Sequence, residues 1–171
     1  AVVLLLILML IPKSKAIYLS KSLCVVLFLL SLMLPLVSIS VPKPKNQGLL
    51  LRQNLLTTSG KLFSVSPVFG IGLGSFVSKQ NSLTEAIILF VDSPTFRFQP
   101  VHNVVVLLLV EIGIFGVLGV FFGLLRLLRT NERYLIFAFL VIMLTGLVDH
   151  YWVTLQQPFL LTSILIGLML K

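Results

Sequence analysis

Acidic residues and cysteine are scarce in this chain: 171 residues contain five Asp and Glu and one cysteine. Cys24 lies inside an apolar run without a partner, which excludes a disulfide framework and a cysteine-based metal site. Only 11% of the residues are charged and 58% are hydrophobic, against about 25% and about 45–50% in an ordinary soluble domain. That balance excludes a soluble globular enzyme and a disordered tail. Nucleotide-binding signatures are missing too. Gly70-x-Gly72-x-Gly74 has Ser75 where the dinucleotide fingerprint needs its third glycine, and there is no Walker lysine pattern.

Positive charge between long apolar runs is abundant. Thirteen Lys and Arg give a formal net charge of +8. In a soluble chain that excess would point first to nucleic acid. Here the basic residues separate apolar segments, so membrane orientation and anionic lipid come first and no nucleic-acid partner is expected. The expected fold is all-α: a polytopic bundle of transmembrane helices forming a single membrane domain over residues 1–171. A long extracytoplasmic loop containing short helices completes it.

A helix needs about 20 apolar residues to cross roughly 30 Å of hydrocarbon. The run 1–11 is too short and lacks the flanks of a signal peptide. It reads as the end of a helix that begins upstream, so the chain is expected to be an N-terminally truncated fragment. The segment 22–41 carries no charge, and Pro35 inside it predicts a kink. A second span, 103–125, is interrupted only by Glu111. Segments 132–148 and 152–170 predict a hairpin of two further spans turning at Asp149-His150-Tyr151.

Lysine and arginine set the expected orientation. Lys13, Lys15 and Lys21 in 12–21, Arg126, Arg129 and Arg133 in 126–133, and Lys171 form short, dense basic segments. The positive-inside rule assigns them to the cytoplasm. The loop 42–102 and the turn 149–151, with both histidines, then face outward from the cytoplasmic membrane. Within that loop, Leu51, Leu55 and Leu62 share one helical stripe, with Arg52, Ser59 and Lys61 as polar positions. This pattern suits a helix lying in the interface. The short apolar stretch 87–91 suits a segment that dips into lipid or covers a site.

Several residues carry chemical potential. Gly70, Gly72 and Gly74 predict either a tight turn whose backbone passes close to a membrane helix, or a backbone nest for an anion. His102 precedes the 103–125 span, where a neutral imidazole can act as a general base or simply meet water at the interface. Glu111 lies nine residues further on, about half a revolution round a straight helix, so the two side chains should not meet. A carboxylate at that depth faces a bundle interior or a wet cavity, as a structural tie or on an ion path. Gly116, Gly119 and Gly123 predict a smooth face for close helix packing. Arg52 and Arg97 are the arginines of the outer loop, where guanidinium groups bind phosphate or anchor in head groups. Asp149 and His150 read as a capping pair. A metal site wants about three ligands, no third is near in sequence, and no metal or cofactor is expected.

These residues taken in order resemble the C-terminal part of the O-antigen ligase and O-antigen polymerase family. The resemblance rests on Arg52, then Pro67-Val-Phe-Gly70-Ile-Gly72-Leu-Gly74-Ser-Phe76, His102-Asn103, Glu111-Ile-Gly113-Ile-Phe-Gly116 and Asp149-His150, over about residues 45–155. It implies a multi-pass glycosyltransferase that takes a glycan from a polyprenyl pyrophosphate. The glycan passes, without metal and with inversion, to a hydroxyl of a glycan, lipid or protein acceptor on the outer face of the membrane. It further implies His102 as the base on the acceptor, Arg52 and the less closely matched Arg97 as holders of the pyrophosphate, and a structural role for Glu111. A transporter of a small anion such as bicarbonate is the competing class, with Glu111 on its path. Transporters show broken helices in paired repeats, and no internal repeat is present.

Overall fold

In the computed structural model, the described residues are 12–38, 46–83 and 99–171. The segments 1–11, 87–91 and Arg97 lie outside them. All regular structure among the described residues is helical. In chain order the helices are α1 (Lys13–Ser38), α2 (Gln47–Val65), α3 (Phe76–Leu83), α4 (Val104–Leu127), α5 (Arg133–Gly146), α6 (Tyr151–Thr154) and α7 (Gln156–Leu170).

Two of these helices contain stretches long and apolar enough to cross a membrane, Lys13–Met33 in α1 and Val104–Leu127 in α4. The first begins well before the expected position 22. Residues 12–21 were expected to be a loop, but 13–21 form the first turns of α1. The reason is a continuous buried stripe: Ala16, Ser20, Cys24, Leu27 and Ser31 recur at helical spacing, while Lys13 and Lys15 stay exposed. Small side chains let the backbones approach closely, and the buried hydroxyls of Ser20 and Ser31 donate to the carbonyls of Ala16 and Leu27, each at 2.8 Å. Leu19, Val26, Leu30, Phe115, Phe122 and Leu161 face outward, an apolar exterior that water-soluble surfaces rarely present.

The expected hairpin of two further spans corresponds to two apolar helices shorter than the expected segments. Helix α5 has 14 residues and α7 has 15, or about 21 and 22 Å at 1.5 Å per residue, short of a roughly 30 Å core. The return segment is divided because Leu155 is extended. Pro158 falls in the first turn of α7, where its missing N–H forfeits no helical bond.

One apolar core joins α1, α4, α5 and α7, and a second joins α2 and α3 to the first half of α4. Leu55 and Leu62 of α2 are buried in the second core while Arg52 and Lys61 are exposed, as the stripe predicts. Ser59, expected to be a polar outer position, is instead buried, its hydroxyl donating to the Leu55 carbonyl at 2.7 Å. At the far end of the bundle Lys21 Nζ donates to Asn131 Oδ1 at 3.2 Å. That contact brings the basic segments 13–21 and 126–133 to the same end.

Helix α4 is broken at Gly113 (φ 67°, ψ −172°). The break leaves the carbonyls of Val110 and Glu111 and the amides of Ile114 and Phe115 without their helical partners. The Pro67–Gly72 turn supplies all four. Ile71 and Gly72 donate to the Val110 and Glu111 carbonyls at 3.0 and 2.9 Å, and Ile114 and Phe115 donate to the carbonyls of Pro67 and Val68 at 2.9 and 3.2 Å. Irregular backbone inside a helix bundle persists where neighbouring protein satisfies its polar groups in this way. The glycine-rich segment is therefore the tight turn against a helix that the sequence predicts. A Cβ on Gly70 would strike the Glu111 carbonyl, and one on Gly113 would strike the backbone of Val68 and Gly70.

Candidate functional site

Asn103 assembles the site. Its Oδ1 accepts from the Val106 amide at 3.0 Å and caps α4. Its Nδ2 donates to the Leu147 carbonyl at 3.1 Å, just beyond the end of α5. One buried side chain thus pins the start of one helix to the end of another. His102, immediately before the cap, is brought against Asp149 and His150, shortly after Leu147.

The three side chains form a cluster. His102 Nδ1 lies 3.7 Å and His150 Nε2 3.9 Å from Asp149 Oδ1. The two imidazoles stack with centroids 5.3 Å apart at 24°. The His150 amide donates to Asp149 Oδ1 at 2.8 Å. Thr154 Oγ1 lies 2.7 Å from His150 Nδ1 and 3.1 Å from the His150 carbonyl. When the hydroxyl donates to the carbonyl it accepts from Nδ1–H and the Nε2 lone pair of neutral His150 faces Asp149; when it donates to Nδ1, Nε2–H faces the carboxylate. Burial pushes the His150 pKa below the ordinary imidazole value; the Asp149 charge opposes this and His102 adds to it. His102 Nδ1 is buried with no hydrogen-bond partner among the described residues.

Arg52 of α2 and His102 line one cavity of about 170 Å³, with Val101, Asn103 and Leu147. Leu147 also borders an apolar cavity of about 430 Å³ between α4, α5 and α7, with Leu124, Met143 and Ile166 on its walls. The polar mouth and the apolar slot therefore share a wall.

The remaining sequence candidates fall elsewhere. Glu111 is buried, and its Oε1 accepts from the Phe76 amide at 3.1 Å, at the N-terminus of α3. It ties α4 to α3 and has no contact with His102, as their helical spacing predicts. The amides of Gly70, Ile71 and Gly72 already donate to the Ser66, Val110 and Glu111 carbonyls. That use corrects the alternative of an anion nest there. Gly74 has open space around it. Of the close-packing face expected of Gly116, Gly119 and Gly123, Gly119 and Gly123 have no neighbour within 4 Å among the described residues, and the atoms nearest a Cβ at Gly116 are those of Ile112 in its own helix. Asp149 and His150 were expected to lack a third metal ligand; the fold supplies it in His102, with all three ligand atoms within 4.8 Å of one another. The missed signal was topological, because the span beginning at 103 and the one ending at 148 put all three residues at the same end.

Comparison of the chain with protein-family models, with curated proteins and with solved structures finds no match.

Proposed function

We propose that the chain is a membrane-embedded part of an O-antigen ligase- or polymerase-like glycosyltransferase, with its reacting groups at the extracytoplasmic face of the cytoplasmic membrane. The observation that carries this reading is the convergence of Arg52 and His102 on one cavity. Transfer from a polyprenyl pyrophosphate needs positive charge where the leaving group departs and a base where the acceptor hydroxyl attacks. The guanidinium and the imidazole are those two groups. The adjoining apolar slot suits a carrier with a charged head and a hydrocarbon tail.

In the proposed reaction, the acceptor oxygen forms a bond to the anomeric carbon as the bond to the pyrophosphate oxygen breaks. The electron pair leaves on polyprenyl pyrophosphate, whose charge Arg52 stabilises. The hydroxyl proton passes to Nε2 of His102. With its other proton on Nδ1, which lies 3.7 Å from Asp149 Oδ1, His102 presents that Nε2 lone pair. Asp149 orients the base and touches neither sugar nor phosphate. Arg97, outside the described residues, is proposed as a second pyrophosphate contact on the resemblance alone.

Membrane vesicles containing the chain and a radiolabelled polyprenyl-pyrophosphate glycan test this reading. Label is expected to move to the acceptor. His102→Ala should lower the transfer rate about 10²–10⁴-fold with donor still bound, and Arg52→Ala should weaken donor binding roughly tenfold or more. Label that crosses the membrane unreacted would establish a transporter instead. Transfer at the wild-type rate by His102→Ala removes the base from the mechanism.

A further inference from the structure

We infer that His102, Asp149 and His150 form a binding site for one Zn²⁺ ion, with Nδ1 of His102, a carboxylate oxygen of Asp149 and Nε2 of His150 as ligands. Three donors of the type zinc prefers converge from two separate parts of the chain. Two distances among their ligand atoms are 3.7 and 3.9 Å, and none exceeds 4.8 Å. A point equidistant from the three lies at most about 2.5 Å from each. An inward shift of a few tenths of an ångström reaches the roughly 2.0–2.2 Å of zinc–nitrogen and zinc–oxygen bonds.

The hydrogen bonding around the cluster favours a cation. In the tautomer with the His150 proton on Nδ1, the carboxylate faces the Nε2 lone pair, an arrangement of two acceptors with no proton between them. His102 Nδ1 is buried and lacks a hydrogen-bond partner among the described residues. A metal ion would complete both. Thr154 Oγ1, 2.7 Å from His150 Nδ1, is placed to accept the Nδ1 proton of the tautomer that ligation requires, as partners of the non-ligating nitrogen do in known zinc sites. Three protein ligands leave the fourth tetrahedral position to water.

The site is incompatible with base catalysis by His102. Ligation takes the Nδ1 lone pair and puts the proton on Nε2, the atom that must accept one in transfer. Zinc would therefore act as a brake on the reaction; this consequence rests on the proposed function, whereas binding itself does not.

The chain contains two histidines, both in the cluster, so selective ¹⁵N-histidine labelling reads the site in the unmutated protein. The purified chain in detergent micelles is stripped with a chelator and titrated with ZnCl₂. His102 Nδ1 and His150 Nε2 are expected to shift together and to saturate at one equivalent. His150→Gln and Asp149→Asn, checked for helical content by circular dichroism, should each weaken Zn²⁺ binding at least tenfold by calorimetry. No shift at one equivalent, a shift of one imidazole only, or ligation through His102 Nε2 would overturn the site. Each result is independent of whether any glycan is transferred. In the transfer assay, inhibition should follow Zn²⁺ occupancy; full activity with the site filled would overturn the brake.

Discussion

Two turns dock against α4, and they do so by opposite chemistry. The Pro67–Gly72 turn meets the helix through backbone alone, exchanging four hydrogen bonds across the break at Gly113. The segment 147–154 meets it through side chains and what they reach: Asn103 to the Leu147 carbonyl, and His102 beside Asp149 and His150. A backbone junction excludes side chains and cannot change protonation. A side-chain junction can exchange protons, change tautomer or bind an ion. The first suits a fixed scaffold and the second suits a reactive site, and both are anchored to the same half of α4.

The largest expected effect is at the backbone junction. Gly70→Ala and Gly113→Ala each place a side chain at positive φ and drive its Cβ into backbone. The left-handed conformation alone costs about 1–2 kcal/mol. The collision adds the loss of hydrogen bonds across the break, each buried group left unsatisfied costing about 1–3 kcal/mol. Thermal unfolding in micelles should show either variant destabilised by about 3 kcal/mol or more, or unable to fold. A variant that melts like the parent would mean that the turn is not seated in the helix break.

At the side-chain junction the expected loss is smaller. Asn103→Ala removes a helix cap, worth about 1 kcal/mol, and leaves the Leu147 carbonyl without its partner, costing about 1–3 kcal/mol if water cannot replace it. A total near 2 kcal/mol is expected in the same melts. The imidazole signals should also change, because the cap sets the distance between His102 and His150. Unchanged histidine resonances would show that the cluster holds without Asn103.

The same contrast governs what was legible in the sequence. The helical class, the stripe of Leu55 and Leu62 and the turn at Gly70 and Gly72 follow from periodicity and from glycine, which report local backbone demands. The break at Gly113 was missed because a glycine in an apolar run reads equally well as helix packing; its geometry depends on a turn some 40 residues away. Lys13, Lys15 and Lys21 suggest a loop by charge alone, whereas a helix tolerates lysines on an exposed face, so α1 begins earlier than the charge pattern implies. Segments 132–148 and 152–170 were too generous, because hydropathy runs through the turn and Pro158 without registering Leu155. The cluster was missed for another reason. Asp149 and His150 are local in sequence, but His102 joins them only because Asn103 ties the start of α4 to the Leu147 carbonyl just past α5.

The smallest expected effect separates the glycines that the junction needs from those it does not. Gly119 and Gly123 sit in regular helix with no described atom near a would-be Cβ. Alanine there meets no collision and lowers the conformational freedom of the unfolded chain. Gly119→Ala and Gly123→Ala should therefore be neutral or raise stability by up to about 1 kcal/mol. Gly74→Ala provides the intermediate case: its surroundings are equally open, but its φ of 68° leaves the left-handed penalty in place, about 1–2 kcal/mol. The ordering Gly113 over Gly74 over Gly119 isolates collision from conformation and conformation from neither. If Gly119→Ala instead loses a kcal/mol or more, that face of α4 is covered in the folded protein by a partner beyond the described residues.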